Sequence, residues 1–420
     1  MKDNQKRILI LGATPHSIHV IDAARKLGIY TIVTDYVKNS PAKAYADKAY
    51  DVSTLDVDAL IELCKNEQVD GLIAGYVDIN LSPYYQVCKA MGYPYYCDDR
   101  QIDMTMNKKH FKDLCRRHGI AVAADIDEKL IEGAPDKIKY PVIVKPADSY
   151  SSKGISVVHD AESLKPAIDK AYSFSKCHEV VVEEFIKADD VYLYFTVQNG
   201  YVSISAMADR LLNDKQYGSA PQPVGYFFPS RYLDLYLEKV HKKVQEMIAE
   251  VGLKNGSFFL QGFATGDDIV FFEMGLRLSG GCGYLQIRHQ NEIDQVAMYV
   301  NYAVSGKFGP WDLKKYDNPR FKDPACVVVV LLGKGVVTKI IGLDAVKNDP
   351  SFFDIIQLKK ENDELTEIGT LNQVFARIYF SNKDKNKLNE SIENIRKNLK
   401  ILDENGKNMI LNLFDEEEVE

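Results

Sequence analysis

Residues 257 to 281, SFFLQGFATGDDIVFFEMGLRLSGG, constrain this chain more than any other stretch. Phe258, Phe259 and Leu260 run into Gln261, and Thr265-Gly266-Asp267-Asp268 carries the small, polar residues of a tight turn. Ile269-Val270-Phe271-Phe272 follows and ends abruptly on Glu273. The spacing predicts two strands joined by a short turn, one delivering a carboxylate and the other an amide side chain. That pair suits a hard cation, because Mg²⁺ prefers oxygen ligands and takes one or two from protein and the rest from phosphates and water. Arg277 comes four residues after Glu273, near enough to meet anions gathered at such a metal. Ser279-Gly280-Gly281 then lets backbone approach closely. The competing reading is a plain β-hairpin with a charged rim.

Glu273-Met274-Gly275-Leu276-Arg277, ahead of Ser-Gly-Gly, resembles the metal-binding signature of ATP-grasp enzymes. Those enzymes usually show Glu-x-Asn-x-Arg, with an acidic residue or Gln on the preceding strand. The resemblance implies that Gln261 and Glu273 hold Mg²⁺ (or Mn²⁺) and that Arg277 contacts the reacting acyl phosphate. Gly275 stands where the family has Asn, which leaves a second metal one ligand short.

The rest of the chain reads in order as follows. Ile8 to Leu11 is a short buried strand, followed by a turn at Gly12, helical spacing from Ile18 to Leu27, and a second strand from Tyr30 to Asp35. This pattern invites a dinucleotide reading, but only Gly12 of the three-glycine fingerprint is present. Residues 57–67 and 83–91 read as helices around a strand at 71–75, an alternation that implies a parallel sheet covered on both faces. ATP-grasp chains commonly begin with such a domain, and Ser40 to Asp47 resembles it in the purine-pathway carboxylases of the family.

Asn107 is a fair N-cap for a helix opening Lys108-Lys109-His110. A lysine in the first turn opposes the helix dipole, so an anion nearby would compensate it. A solvated basic face is the alternative. Tyr140 to Pro146 is a β-branched strand that ends on Lys145, a fixed ammonium suited to phosphate oxygens. Asp148-Ser149-Tyr150-Ser151-Ser152-Lys153-Gly154 follows as a small polar loop whose N–H groups and hydroxyls could cradle phosphates, or be an ordinary hairpin turn. Glu179 to Ile186 is a strand running into a polar hinge, with Phe185 and Ile186 offering wall and backbone to an adenine and Glu183 or Glu184 near its amino group. The family resemblance implies a phosphate contact for Lys108 and a phosphate lid for the loop. It places Lys153 at the γ-phosphate and Asp190 on the ribose hydroxyls.

Residues 191–207 read as strands, and Asp209-Arg210 opens a Gly- and Pro-rich loop that could cover an acceptor site. Tyr232 to Val251 reads as one amphipathic helix leading into the hairpin. Arg288 and His289 could meet a substrate carboxylate or be a surface pair. Beyond Gly309-Pro310-Trp311 the chain becomes Lys/Asp-rich. Strands at 326–332 and 373–380 and a helix at 386–399 then resemble the small C-terminal lobe of the biotin-carboxylase branch. The tail Asp415 to Glu420 reads as a solvated acidic end.

At 420 residues, three domains are expected: an open parallel α/β domain over 1–100, an ATP-grasp domain of two α+β lobes over 101–310 with its lid lobe near 120–190, and a small α+β lobe over 311–420. A net charge of −8 argues against non-specific nucleic-acid binding, and no apolar run is long enough to span a bilayer. Seven scattered cysteines show no disulfide or zinc spacing, which fits a reducing cytoplasm. The order of motifs implies an ADP-forming ligase that binds ATP and Mg²⁺ and joins a small carboxylate to an amine, with Arg277 and Lys153 catalytic. Arg277, Arg288, Asp209 and Arg210 are the expected substrate contacts, and a homodimer is a possible assembly. A bicarbonate-phosphorylating enzyme and a nucleotide-binding regulator without turnover are the alternatives.

Overall fold

The computed structural model describes residues 5–148, 153–213, 222–281, 283–411 and 413. The chain opens with four parallel strands, β1 (Arg7–Leu11), β2 (Tyr30–Thr34), β3 (Lys48–Tyr50) and β4 (Gly71–Ile73), in the order β3-β2-β1-β4. Ile8, Leu9 and Ile10 are fully buried, as expected of a strand covered by helices on both faces. The carboxylate of Asp35, at the end of β2, accepts from the N–H of Ala13 at 3.0 Å, so it closes the turn after Gly12. The helix Ser17–Lys26 packs on the helix Gln295–Ser305, which docks this first unit on the centre of the molecule.

A second sheet, in the order β6-β5-β7, is formed by β5 (Val142–Pro146), β6 (Ser156–Val158) and β7 (Val180–Glu184). With the helix Ala161–Phe174 it encloses its own small core, including Val142, Val144, Leu164 and Val182. That core is separate from the main one, the arrangement expected of a lobe that can move as a unit.

Among the described residues the main sheet has eight strands. β8 (Asp189–Gln198), β9 (Tyr201–Leu212), β10 (Pro223–Phe228), β11 (Gly256–Ala264) and β12 (Ile269–Gly275) supply one half. β13 (Ala325–Leu331), β16 (Phe352–Gln357) and β18 (Val374–Ser381) continue it, in the order β12-β11-β8-β9-β10-β13-β18-β16. The C-terminal segment therefore extends the central sheet. Two small pairs, β14 (Gly335–Val336) with β17 (Glu364–Leu365) and β15 (Lys339–Ile341) with β19 (Lys400–Leu402), finish it.

The single helix expected over 232–251 is two, Leu233–Lys239 and His241–Val251, broken where Val240 takes φ −120° and ψ −35°. Its hydrophobic spacing is continuous across the break, so periodicity could not reveal it. Among the described residues no helix is long and apolar enough to cross a membrane.

Candidate functional site

β11 and β12 pair antiparallel in a register that sets Gln261 opposite Glu273. The Gln261 amide donates to Glu273 Oε2 at 3.1 Å. Its Oε1 accepts from Arg210 Nη1 at 2.7 Å. Arg210 is anchored in turn on Asp190, whose two oxygens accept from Nε at 2.8 Å and from Nη2. Asp190, expected on ribose hydroxyls, pairs with Arg210 and, through it, orients Gln261. Among the described residues no group of three or more His, Cys, Asp or Glu converges as a metal cage. Turning the Gln261 oxygen from Arg210 to the Glu273 side would set one amide oxygen beside one carboxylate, a pair that fits a single Mg²⁺ drawing its other ligands from phosphates and water.

The Asn-to-Gly departure has a packing cause. A Cβ at Gly275 would lie 2.1 Å from the ring of Phe259, its register partner on β11. Phe259 also stacks on Tyr192, with centroids 5.1 Å apart, and the Arg277 guanidinium lies 5.2 Å from its ring centre. The aromatic side chain occupies the space an asparagine would need.

The phosphate-side residues gather opposite this hairpin. Asn107 caps the helix Lys108–Arg117 by accepting from the N–H of Lys109 at 3.0 Å, and Lys108 N–H donates to Ala147 O at 2.9 Å. Helix start and strand end are thereby tied together. Lys108 is buried, which pushes its pKa down; the carboxylate of Glu273 acts against this and Lys145 adds to it. Lys145 bonds Glu183 Oε2 at 2.6 Å, and Lys112 bonds Glu183 Oε1 at 2.7 Å and also reaches Asp125. Glu183, expected near an adenine amino group, is held between two ammonium groups. Glu184 closes on Ala124, its carboxylate accepting from that N–H at 3.0 Å while its own N–H donates to Ala124 O. Phe185 is 40% exposed and its N–H donates to Pro141 O, so the wall expected there is open on one side.

Lys153 is exposed at the end of the polar loop. Gly154 has φ +77° and a Cβ there would meet Phe174 and Pro146 at 2.8 Å, so only glycine fits. Ser151 and Ser152 lie outside the described residues, as does most of the loop after Arg210.

Arg277 is held by Asp78 across the junction with the first unit: Nε donates to Oδ1 at 2.7 Å and Nη2 to Oδ2, while Nη1 donates to Leu278 O at 3.0 Å. Arg210 and Asp209, though adjacent, do not share a site. Consecutive strand residues face opposite ways, and Asp209 bonds Ser230 and Arg231 on the far face of the sheet. Arg288 is half exposed and meets Asp354 at 3.4 Å, apart from the hairpin cluster. Lys112 and Asp78 were missed. Lys112 lies four residues from Lys108 on the same helix face, a readable signal. Asp78 is isolated in sequence and only the fold brings it to Arg277.

Residues 106–221 match the family model described as D-ala D-ala ligase C-terminus. A formate-dependent phosphoribosylglycinamide formyltransferase from Methanocaldococcus jannaschii is 29% identical over 64% of this chain and 69% of its own length. One from Mannheimia haemolytica is 25% identical over 90% of this chain and 89% of its own. Among solved structures, phosphoribosylglycinamide synthetase from Anaerococcus prevotii superposes with a TM-score of 0.75 at 20% identity, covering 95% of this chain and 99% of that one. L-amino acid ligase from Bacillus licheniformis also scores 0.75, at 17% identity and 94% and 98% coverage. With the lysine strand and the Gln–Glu hairpin in their expected order, the chain has the ATP-grasp fold and is similar over residues 106–221 to the D-ala D-ala ligase family model.

Proposed function

We propose that the chain uses ATP to phosphorylate a small carboxylic acid in the cleft between the β5–β7 lobe and the β11–β12 hairpin, and passes the acyl group to an amine. One observation carries this reading: the start of the Lys108 helix is tied to the end of the Lys145 strand, Lys108 N–H donating to Ala147 O at 2.9 Å, and the hairpin carboxylate Glu273 acts on the same buried Lys108 ammonium. The lysines proposed for phosphate and the carboxylate proposed for metal are thereby close enough to act on one another. Lys108 and Lys145 would neutralise the inner phosphates and Lys153 the γ-phosphate, where positioning and electrostatics supply most of the catalysis. Gln261 and Glu273 would hold Mg²⁺, which supplies Lewis-acid charge neutralisation at the transferring phosphoryl. Of the five N–H groups of Arg277, three are engaged by Asp78 and Leu278, and the remaining ones would stabilise the oxyanion when the amine attacks. The N–H groups of Glu184 and Phe185 are already bonded, so adenine would read the hinge from Ile186 onward.

The curated relatives are named as formate-dependent, which makes formate the first acid to try. Buried, unpaired cysteines such as Cys64, Cys88 and Cys115 suit work in a reducing cytoplasm. Incubation with ATP, Mg²⁺, formate or another small acid, and hydroxylamine should give ADP and a hydroxamate together. Glu273→Gln should reduce both to background with the fold intact by circular dichroism. AMP and pyrophosphate, or a Glu273→Gln variant of normal rate, would overturn the reading.

A further inference from the structure

We propose that a cavity on the face of the central sheet opposite Arg210 is a second small-molecule site, and that it takes a one-ring carboxylic acid carrying a hydrogen-bond donor. The site does not depend on the ligase reading above, and its failure would leave that reading untouched.

Two neighbouring strands set its floor. On β9, Arg210 turns toward Asp190 and Gln261, so Asp209 and Leu211 turn the other way. Phe227 of β10 is the register partner of Asp209 and joins them on that face. The helix Lys385–Asn398 packs on β13 and β18 of the same sheet, and Lys385 and Asn389 from its start reach the edge of this floor. Between them lies a cavity of about 240 Å³. Native interiors leave few voids larger than a water molecule. Small-molecule pockets run from about 300 to 1,000 Å³, so a cavity just below that range sets its guest at one ring.

The charges around it favour an anion. Among the described residues Asp209 is the one acid in the lining, and both its oxygens are already taken. Oδ1 accepts from the Ser230 hydroxyl, and Oδ2 accepts from the Arg231 N–H at 3.2 Å and from Arg231 Nε at 3.0 Å. Arg231 and Lys385 both line the cavity, so it carries one positive charge in excess, which suits a monoanion. With Nε spent on Asp209, the two Nη groups of Arg231 remain as a fork that matches a planar carboxylate. A dianionic phosphate would leave one charge unmatched and would gain nothing from Leu211 and Phe227.

Asn389 supplies an independent sign of a guest. It lies one helical turn beyond Lys385 on the same face. Its Oδ1 is buried and has no hydrogen-bond partner among the described residues. Leaving a buried acceptor unsatisfied is costly, and native chains seldom do it without a reason. Rotation about the Cβ–Cγ bond would turn that oxygen to the cavity, where a hydroxyl of the guest would satisfy it. Leu211, Phe227 and the buried Leu388 give a ring its apolar contact. None of Lys108, Lys145, Gln261 and Glu273 lines this cavity, so it is separate from the nucleotide and metal residues.

The test titrates the full chain by calorimetry with para-hydroxybenzoate, benzoate, para-hydroxybenzamide and inorganic phosphate, with and without saturating Mg²⁺ and ADP. Para-hydroxybenzoate should bind with the same affinity in both states. Removing its hydroxyl should weaken it about 5-fold, and replacing its carboxylate by the amide about 20-fold. Lys385→Glu should weaken both acids about 10-fold with ADP affinity unchanged. Asn389→Leu should bring para-hydroxybenzoate down to the affinity of benzoate. Arg277→Ala should change neither acid, which separates this cavity from the carboxylate site of the proposed reaction. Absence of binding by any of the ring compounds, displacement by ADP, an amide or phosphate as tight as the acid, a Lys385→Glu variant of normal affinity, or a loss in Arg277→Ala would each overturn the proposal. The comparison among the unmodified chain's ligands needs no variant, so it stands even if a variant misfolds.

Discussion

Two lysines meet one glutamate at the heart of the cleft, and their balance sets what substitutions there should do. Glu183 bonds both Lys112 and Lys145, so Lys145→Ala leaves the carboxylate partnered and the fold standing. The loss should appear in nucleotide binding: ATP and ADP weaken alike, by about 10- to 100-fold, as expected for a charge-assisted contact to the inner phosphates. Lys153→Ala should weaken ATP more than ADP, and calorimetry with both nucleotides checks this. Equal losses at Lys153 would mean that it never reaches the γ-phosphate. His16 gives a pH prediction. Burial, with Arg377 next, lowers its pKa from 6.5 to about 3. The unfolded chain takes up the proton below pH 6.5 while the folded chain stays neutral. Its stability contribution is thus intact above that pH and falls on acidification by about 1.4 kcal/mol per pH unit until the folded pKa is reached. His16→Gln should flatten that part of the urea-unfolding stability profile, and an unchanged slope would contradict the burial argument. The lysine strand and Glu273 were legible because each ends an apolar run. Asp78, His16 and Arg377 were not, since nothing local in the sequence marks a residue that acts by meeting a distant one.

The β11–β12 hairpin shows how far an element can be read ahead of its structure. Turn chemistry at Thr265 to Asp268 and the two apolar runs gave the pairing, and the register delivers Gln261 opposite Glu273. What the pattern could not show is why Gly275 replaces asparagine, because the cause is the Phe259 ring on the facing strand. Gly275→Asn should therefore cost about 1–3 kcal/mol through overpacking. Combining it with Phe259→Ala should recover part of that loss, and a double-mutant cycle by chemical denaturation measures the coupling. Purely additive effects would show that the ring is not the obstacle. Helix boundaries were less legible: the break at Val240 interrupts no hydrophobic repeat, and only its backbone angles disclose it.

At the scale of the molecule, three segments far apart in sequence converge on Arg277. The parallel sheet of the first unit brings Asp78, the hairpin brings Arg277 itself, and β8 brings Tyr192, whose ring stacks on Phe259 beside the guanidinium. The α/β opening and central sheet were readable from alternation and apolar runs. The merging of the C-terminal strands into that sheet was not, because strand order is fixed by long-range pairing. The central claim is that the acid is activated as an acyl phosphate. Turnover with an acid labelled with oxygen-18 in its carboxylate, beginning with formate, tests it most directly. The account predicts that one labelled oxygen passes to inorganic phosphate, with ADP as the nucleotide product. Label found in AMP, or phosphate released without label, would contradict it.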